Sequence, residues 1–524
     1  MSDQREWRPR HNPWVITLTV TLATFMEVLD TSIANVALPH IAGSFSASEH
    51  EATWVLSSYL VANAVVLPMS AWISSRVGRK RFYMTCVVLF TASSFLCGIA
   101  PSLPMLIFFR ILQGIGGGGL APSEQAILAD TFEPARRGVA FAVYGMAVVL
   151  APAIGPTVGG WITDNYSWHW IFFINVPVGI LSLFLTANIL EDPPHVTAQI
   201  AKSRATSIDY VGAFLVAVGF GSLEVVLDKG QEDDWFSSSF ILGFAITSAI
   251  AIAAFIVWEW NEEHPILNIR LFKVRSFAAA SILMLALGGT LYGSTTLQPQ
   301  YLQTVMGYTA ELAGKTLMPG GFTVLLCMPL VGRLVSRSDS RRLAAFGFTV
   351  AGFALFHMST LYLGIDMKTA ILYRVFLSIG IAFLFVPINT ISFVGVPREQ
   401  NGQVSSVINL CRNLGGSIGI SAVSTLLAQR SQVHQSFLVA QASASSPAFR
   451  SELNSLAARI SHAGAGPVEG LRQAYGQIYQ QILQQATVLA YIDALRVLGI
   501  TCLLAIPFCF FASKPKPGGP MAAH

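Results

Sequence analysis

The feature that most limits the fold of this chain is a series of apolar segments long enough to cross a lipid bilayer. A bilayer core is about 30 Å thick, and a helix of about 20 residues spans it. Hydrophobic residues make up 53% of the 524 residues and charged residues only 11%, whereas a soluble domain carries about 25% charged residues. The sequence therefore predicts an all-α integral membrane protein. Fourteen segments are predicted as transmembrane helices, at 14–38, 52–75, 81–100, 103–129, 138–163, 169–190, 208–228, 238–260, 277–303, 312–335, 343–363, 369–393, 402–428 and 486–511.

The distribution of basic residues predicts that both termini are cytoplasmic. Loops on the side of the amino terminus carry 21 Lys and Arg residues, and the short loops of the other face carry only Lys229 and Lys368. Positively charged short loops stay in the cytoplasm. The net charge of +4 is small and no nucleic-acid motif occurs, so we expect no nucleic-acid partner. No GxxxxGK[ST] loop occurs, so ATP is not the expected energy source.

The chain also contains an internal repeat. AWISSRVGRKR at 71–81 is echoed by GRLVSRSDSRR at 332–342, and FFRILQGIG at 108–116 by LYRVFLSIG at 372–380, which aligns Arg110 with Arg374. Corresponding spans run in the same direction, so the repeats are parallel, and two bundles rocking about a central site would give alternating access. The predicted organisation is a tail (1–13), a six-helix bundle (14–190), an inserted hairpin (208–260), a second six-helix bundle (277–511) and a tail (512–524).

Three ionisable residues inside spans are candidate proton-coupling groups: Glu27, Asp30 and Arg110. Glu27 and Asp30 are three residues apart and share one helix face. Helix rise places Asp30 about 24 Å and Arg110 about 20 Å from the cytoplasmic face, so the charges share a depth. Intramembrane charges usually mark solute or proton pathways. A carboxylate that exchanges a proton beside a movable arginine could couple protons to motion, and a permanent structural ion pair is the alternative.

Other polar residues in the spans are candidates for a substrate cavity: Asn35, Gln113, Glu124 and Arg374. Arg374 could instead brace its own bundle. Glu124, near the cytoplasmic end of its span, either attracts cationic solutes at a cavity mouth or extends to water. The nearby glycines and Pro122 could distort this helix. Glu224, about one turn from the outer end of the seventh span, is expected at the water interface.

Two further segments predict conformational elements. In APAIGPTVGG at 151–160, Gly155, Gly159 and Gly160 form a close-packing surface, while Pro152 and Pro156 each remove a backbone hydrogen bond. The basic loop at 76–81, with Arg76, Gly78 and Arg79, is either an anchor at anionic headgroups or a latch that forms and breaks between states.

The segment 429–485 is the one long predicted extramembrane stretch. Apolar residues recur at helical spacing within it, which predicts amphipathic helices on the outer face. They could dock a partner protein or lie on the bilayer. The residues concerned are Leu453, Leu456, Ile460, Leu471, Tyr475, Ile478 and Ile482. All six cysteines fall in apolar segments without metal-ligand spacing, so we expect neither disulfide nor zinc.

Five segments of the chain carry a resemblance to a known family: LATFMEVLDTSIANVALP at 22–39, RILQGIGGG at 110–118, GPTVGG at 155–160, WIFFINVPVG at 170–179 and DWFSS at 234–238. Together they resemble the fourteen-span drug:proton antiporters of the EmrB/QacA type, within the major facilitator superfamily. The resemblance implies proton-driven export of lipophilic toxic compounds across a bacterial inner membrane, with protons as coupling ion and no other cofactor or metal. It maps the family's first-span acid onto Asp30, its fourth-span arginine onto Arg110, and its antiporter glycine-proline motif onto Gly155 and Pro156.

The long outer segment is similar to the EmrB branch, whose members work with a periplasmic adaptor and an outer-membrane channel. The chain departs from the family at Ala71 and Ser75, which replace a glycine and an aspartate of the loop motif, and at Glu27, where a glutamine is frequent. We therefore expect a non-enzymatic multidrug exporter. Two alternatives stay open: a proton-coupled exporter of one metabolite or siderophore, and a membrane sensor that binds ligand without moving it.

Overall fold

The computed structural model describes residues 9–133, 136–204, 206–443 and 445–513, and this part of the chain is largely helical. The predicted tails lie mostly outside the described residues. The helices are α1 (Pro13–Phe45), α2 (Glu49–Val77), α3 (Arg79–Gly98), α4 (Leu103–Gly117), α5 (Leu120–Thr131), α6 (Arg137–Asn165), α7 (Trp170–Phe173), α8 (Asn175–Ile189), α9 (Pro194–Arg204), α10 (Tyr210–Lys229), α11 (Ser239–Asn261), α12 (Arg275–Thr304), α13 (Ala310–Arg337), α14 (Ser340–Met358), α15 (Met367–Ser392), α16 (Asn401–Gln441), α17 (Pro447–His462) and α18 (Pro467–Phe511).

Every segment predicted as a span is helical. Twelve spanning helices among the described residues are long and apolar enough to cross a membrane by length and composition. The two remaining predicted spans correspond to α14 and α16. Both helices form, but α14 begins with Ser340, Arg341 and Arg342, and α16 carries many Asn, Gln and Ser side chains. Their polar residues face protein rather than lipid where they are buried, as for Asn401 and Asn409.

Glycine and proline set the breaks between helices. The fourth predicted span is two helices, α4 and α5, separated at Gly118 and Gly119, which confirms the predicted distortion. The turn between α2 and α3 is the single residue Gly78, whose φ of 105° is accessible to glycine but strained for other residues. The basic loop is therefore a sharp corner rather than an extended segment.

The helices form two bundles with a hairpin against their junction. We call α1–α8 the N-bundle, α12–α18 the C-bundle and α10–α11 the hairpin. Across the junction α13 packs along α6, and α16 packs against α2 and α5. The hairpin helix α10 contacts α2 of one bundle and α16 of the other. We call the face where α1 begins and α18 ends the terminal face, and the other the opposite face.

Helices also fill the segment predicted as an outer loop, as expected from its periodicity. Helix α16 continues to Gln441 and α18 starts at Pro467, so two spans extend beyond the bundle, and α17 packs against α18. Leu453, Leu456, Ala474 and Ile478 form a small buried cluster there. We call residues 429–485 the protrusion. Much of its predicted apolar face is therefore buried within the protrusion itself.

Candidate functional site

An ion pair between Asp30 and Arg110 lies in the middle of the N-bundle. Nη1 of Arg110 on α4 donates to Oδ2 of Asp30 on α1 at 2.6 Å, and both side chains are buried. Nε of Arg110 donates to the carbonyl oxygen of Val55 at 2.9 Å. Its guanidinium also lies over the Tyr59 ring, 4.5 Å from the centroid, which favours the cation. The two predicted charges therefore meet, and the pair is held from three helices.

Buried amides complete the coordination of Asp30. Nε2 of Gln113 donates to Oδ1 of Asp30 at 3.0 Å, and Nδ2 of Asn175 donates to the same oxygen at 2.6 Å. Gln113 also accepts from Arg110 at 2.6 Å and donates to Ser94 at 2.7 Å. Buried charges are tolerated when they are paired and hydrogen-bonded in this way. Asp30 thus accepts hydrogen bonds from Arg110, Gln113 and Asn175.

Glu27 lies on α1 one turn before Asp30 but contacts different residues. Its Oε1 accepts from Asn63 at 3.1 Å and from Tyr59 at 3.3 Å, both on α2. Its Oε2 is buried without a hydrogen-bond partner among the described residues. Tyr59 thus contacts Glu27 through its hydroxyl and Arg110 through its ring. Glu27 is the less satisfied carboxyl of the two.

Glu124 on α5 is fully buried, so the alternative in which this side chain extends to water is wrong. Its Oε1 accepts from the Thr21 hydroxyl at 2.6 Å, and its Oε2 has no partner among the described residues. The break between α4 and α5 turns this residue inward, which the apolar pattern alone did not show. Glu124 joins Glu27 as a second interior carboxyl with an unoccupied oxygen.

A buried polar network joins the two bundles nearer the terminal face. Gln125 of α5 donates to Asn389 of α15 at 3.0 Å and accepts from Asn409 of α16 at 2.8 Å. Tyr144 of α6 donates to Asn409 at 3.0 Å and accepts from Arg412 at 2.6 Å. Sequence reasoning missed this network, because ordinary amides in apolar spans gave no signal of which partner they would meet. These bonds must break if the bundles part on this side.

Arg374, the repeat counterpart of Arg110, lacks such a partner. It is buried on α15, and its Nη2 donates to the Thr295 hydroxyl at 3.0 Å. Its Nε and Nη1 have no hydrogen-bond partner, and no carboxylate forms an ion pair with it among the described residues. The side chain also packs beside Gly320 of α13. It is therefore a buried cation with free donors.

The remaining predicted residues lie apart from the ion pair. Asn35 is exposed and donates only weakly, at 3.4 Å, to Thr31 one turn earlier. Exposure rises along α1 from the buried Glu27 through Thr31 to Asn35. This increase in exposure indicates that Glu27, Thr31 and Asn35 line a path from the interior toward the opposite face.

The glycine motif brings α6 against α1. A Cβ at Gly155 would lie 2.2 Å from the Ser32 hydroxyl, and one at Gly159 would lie 3.0 Å from Ile33. At Gly160 the nearest atom would be at an ordinary 3.9 Å. Pro156 lies inside the continuous helix α6. Gly155 and Gly159 are thus the positions where only a glycine permits this contact.

The corner at Gly78 brings a basic residue inside. Arg79 is buried, forms an ion pair with Asp130 of α5, and donates to the Ala126 carbonyl at 3.2 Å. Asp130 also accepts from Asn401 of the C-bundle at 2.7 Å. Arg76 donates to the carbonyl oxygens of Thr206 and Ser207, beside the linker between the N-bundle and the hairpin. Arg79 therefore lies inside the protein rather than at the lipid headgroups, and the latch between states stays a prediction.

Comparisons with known proteins agree with this architecture. The profile of the Major Facilitator Superfamily matches residues 20–420. The chain is 36% identical over 514 residues to the Multidrug export protein EmrB of Escherichia coli strain K12, covering 97% of this chain and 98% of that protein. It is 38% identical over 507 residues to the Fatty acid resistance protein FarB of Neisseria gonorrhoeae, covering 97% of each. The solved proton:xylose symporter XylE is similar in fold, with a TM-score of 0.62, 16% identity, and coverage of 96% of this chain and 97% of that one.

Proposed function

The chain belongs to the major facilitator superfamily, and from that premise we propose that it is a proton-coupled antiporter that exports lipophilic toxic compounds. The observation that carries the proposal is the buried Asp30–Arg110 pair beside Glu27, in the bundle that also carries half of the inter-bundle network. A charged group in the membrane interior is retained where it serves transport. The names of the similar proteins, a multidrug exporter and a fatty acid resistance protein, support the substrate class.

Asp30 and Glu27 carry the proton, and Arg110 converts their charge state into motion. When Asp30 binds a proton it loses its negative charge, and its attraction to Arg110 falls. Arg110 lies on α4, which continues through the glycine break into α5 and Gln125. A shift of α4 therefore reaches the bonds from Gln125 to Asn389 and Asn409, which hold the bundles together. Gly155 and Gly159 allow α6 to slide on α1 as the bundles rock.

The site is proposed to face the cytoplasm and the outside in turn, with both termini cytoplasmic in a bacterial inner membrane. The basic loops at Arg79 and Arg341 support this orientation. The protrusion at 429–485 would then face the periplasm and meet an adaptor that leads to an outer-membrane channel. Its exposed Val468, Leu471 and Tyr475 are candidate contacts. Purifying the chain with a tagged candidate adaptor, with and without Val468→Glu, tests this partner.

The test of the antiport proposal is substrate-driven proton flux in proteoliposomes. Wild type and Asp30→Asn are compared with tetraphenylphosphonium as a lipophilic cation, using a pH dye inside the vesicles. We expect flux in wild type and none in the variant, while the variant still binds the cation. No flux in wild type would overturn the antiport proposal, and undiminished flux in Asp30→Asn would move the carrier role to Glu27.

A second candidate substrate class is lipophilic anions, favoured by the two free donors of Arg374. A carboxylate would satisfy a guanidinium in a fork geometry that Thr295 does not provide. Thr295→Asp places a carboxylate at the one existing contact. We expect this change to weaken dodecanoate binding about tenfold or more, which is about 1.4 kcal/mol, with tetraphenylphosphonium binding retained. Unchanged dodecanoate affinity would remove Arg374 from substrate recognition.

A further inference from the structure

The inserted hairpin carries a buried carboxyl that the mechanism above does not use. Glu224 of α10 is only 3% exposed, so its expected position at the water interface is wrong. Its Oε1 accepts from the Ser417 hydroxyl of α16 at 2.6 Å. Gly221 on the same helix lies against Val61 and Val65 of α2. Glu224 therefore sits in the seam where α10 covers the contact between the two bundles.

A row of acidic residues leads from the opposite face down to Glu224. Asp233 is paired with His50 at 3.1 Å, and Glu232 with Lys229 at 2.8 Å, both at the surface end of α10. Asp228, half-buried, accepts from Ser57 of α2. Asp228 and Glu224 are four residues apart, so they share a face of α10 and are separated by about 6 Å of helix rise. Exposure thus falls stepwise from the surface acids to Glu224.

The row continues on the inner side of Glu224 toward Glu27. Asn413 lies one turn from Ser417 on α16, a separation of about 6 Å along the axis. Nδ2 of Asn413 donates to Asn63 of α2 at 3.4 Å, and Nδ2 of Asn63 donates to Glu27 at 3.1 Å. Polar groups from α10, α16, α2 and α1 therefore form one track between the outer end of the hairpin and the central carboxyl.

No cation neutralises Glu224 within the described residues. On its own helix the neighbouring charges are Asp228 and Lys229, and Lys229 pairs with Glu232. The charged side chains of the three helices packed against α10 form no ion pair with Glu224. They are Glu49, His50, Glu51 and Arg76 of α2, Glu259 of α11, and Arg412, Arg430 and His434 of α16. A carboxylate buried without a counter-charge is costly, and binding a proton removes the charge.

We propose that the inserted hairpin conducts protons from the opposite face to Glu27 through Asp228 and Glu224. Asp228 takes a proton from water and passes it to Glu224. Glu224 releases it through the Ser417 hydroxyl and water held by Asn413 and Asn63 to the Glu27 carboxylate. Each donor returns to its anionic form, and no other reactant is consumed. This inference rests on the proposed proton antiport and assigns a function to the two helices that the repeat does not contain.

The hairpin contains a second buried glutamate that provides a matched control for the proposed proton relay. Glu259 of α11 is also a buried glutamate, but it lies at the terminal-face end and receives a backbone hydrogen bond from Leu267. Glu224→Gln and Glu259→Gln remove the same charge from the same hairpin. Only the first lies on the track. Ser417→Ala provides an independent break that keeps every carboxyl in place.

The experiment measures tetraphenylphosphonium-driven proton flux in proteoliposomes for wild type and these three variants, with cation binding to purified protein as a second readout. We expect Glu224→Gln and Ser417→Ala to slow proton flux about tenfold or more, as loss of a proton-transfer group does. Cation affinity and the pH dependence of binding stay at wild-type values, because Glu27 and Asp30 remain. Glu259→Gln keeps the wild-type flux.

A defect in the rate of proton transfer should be smaller at low pH. Lowering the pH on the side of Asp228 raises the concentration of hydronium that can reach Glu27 without the relay, so the flux of Glu224→Gln should approach that of wild type. Wild-type flux in Ser417→Ala and Glu224→Gln at neutral pH would overturn the relay while leaving antiport intact. Equal slowing in Glu259→Gln would also overturn it. Absence of flux in wild type would instead refute the antiport proposal itself.

Discussion

The two arginines related by the internal repeat have opposite surroundings. Arg110 pairs with Asp30, bonds to Val55 and Gln113, and lies over an aromatic ring. Among the described residues, Arg374 bonds only to Thr295, through one nitrogen. Both are buried. In the N-bundle the carboxylate of Asp30 balances the charge of Arg110. In the C-bundle no carboxylate of the described residues pairs with Arg374, so its charge is available to a ligand. The repeat therefore preserved the position of a cation, for which we propose coupling in the case of Arg110 and substrate recognition in the case of Arg374.

The largest expected effect is a difference in the free energy of unfolding between variants of Arg110 and variants of Arg374. Arg110→Met leaves the Asp30 carboxylate buried without a cation, which costs about 3–5 kcal/mol. Arg374→Met removes a buried unpaired charge and one hydrogen bond, so we expect a change of no more than about 1 kcal/mol. Unfolding free energy in denaturant titration of the purified protein measures both.

The double variant Asp30→Asn/Arg110→Met is the control for this comparison. It removes both charges, so most of the stability lost in Arg110→Met should return. If Arg374→Met is as damaging as Arg110→Met, Arg374 braces its bundle and the division between the halves is wrong.

The glycine stripes of the two halves differ in what faces them. A Cβ at Gly155 would meet the Ser32 side chain at 2.2 Å. Gly419 follows Gly155 by 264 residues, the spacing that relates Arg374 to Arg110, and a Cβ there would meet the backbone of Gly289 at 2.5 Å. We expect Gly155→Ala and Gly419→Ala each to cost about 1–3 kcal/mol from overpacking. Adding Ser32→Gly should rescue Gly155→Ala.

The C-bundle clash offers no such rescue, because Gly289 has no side chain to remove. Thermal unfolding of the single and double variants measures the difference. A double variant as unstable as Gly155→Ala alone would show that the α1–α6 contact is limited by backbone, as in the C-bundle.

The smallest expected effect concerns the two copies of the basic loop. Arg79 is buried and paired with Asp130 across helices, while Asp339 caps α14 and bonds to Arg341 two residues away. Those bonds from Arg341 lower the pKa of Asp339 below its ordinary value of 3.8. Because the folded-state pKa is depressed, the stabilisation is present above pH 3.8 and is lost as pH falls through the folded value.

Asp339→Asn should therefore reduce stability at pH 7 by less than about 1 kcal/mol, since the pair is partly exposed. The difference from wild type should shrink as the pH approaches the acid range. Unfolding measured at pH 7 and at a pH below 3.8, where the stabilisation is being lost, tests this. A deficit that does not depend on pH would assign the role of Asp339 to helix capping, which asparagine also performs.

The sequence predicted the helices well because spanning length and apolar content are local properties. The distortion near Pro122, the helices of the protrusion and the fold class are confirmed by the structure and the comparisons. The predicted interfacial position of Glu224 was wrong, and so was one of the two alternatives for Glu124, since distance along a helix does not reveal which neighbour covers a side chain. Asn175 and Ser94, which complete the Asp30 cluster, gave no signal because they are common polar residues in otherwise apolar segments.

The sequence by itself determined that this chain crosses a membrane many times, repeats its first half, and buries Glu27, Asp30 and Arg110. These follow from the cost of charge in lipid and from periodicity, which are read along one dimension. Only the tertiary structure decided that Arg110 is paired, that Arg374 has no carboxylate partner in the described part of the chain, and that the hairpin lies over the seam with Glu224 inside. The physical reason is that a helix face is set by local spacing, whereas its partner is set by packing between helices distant in the chain.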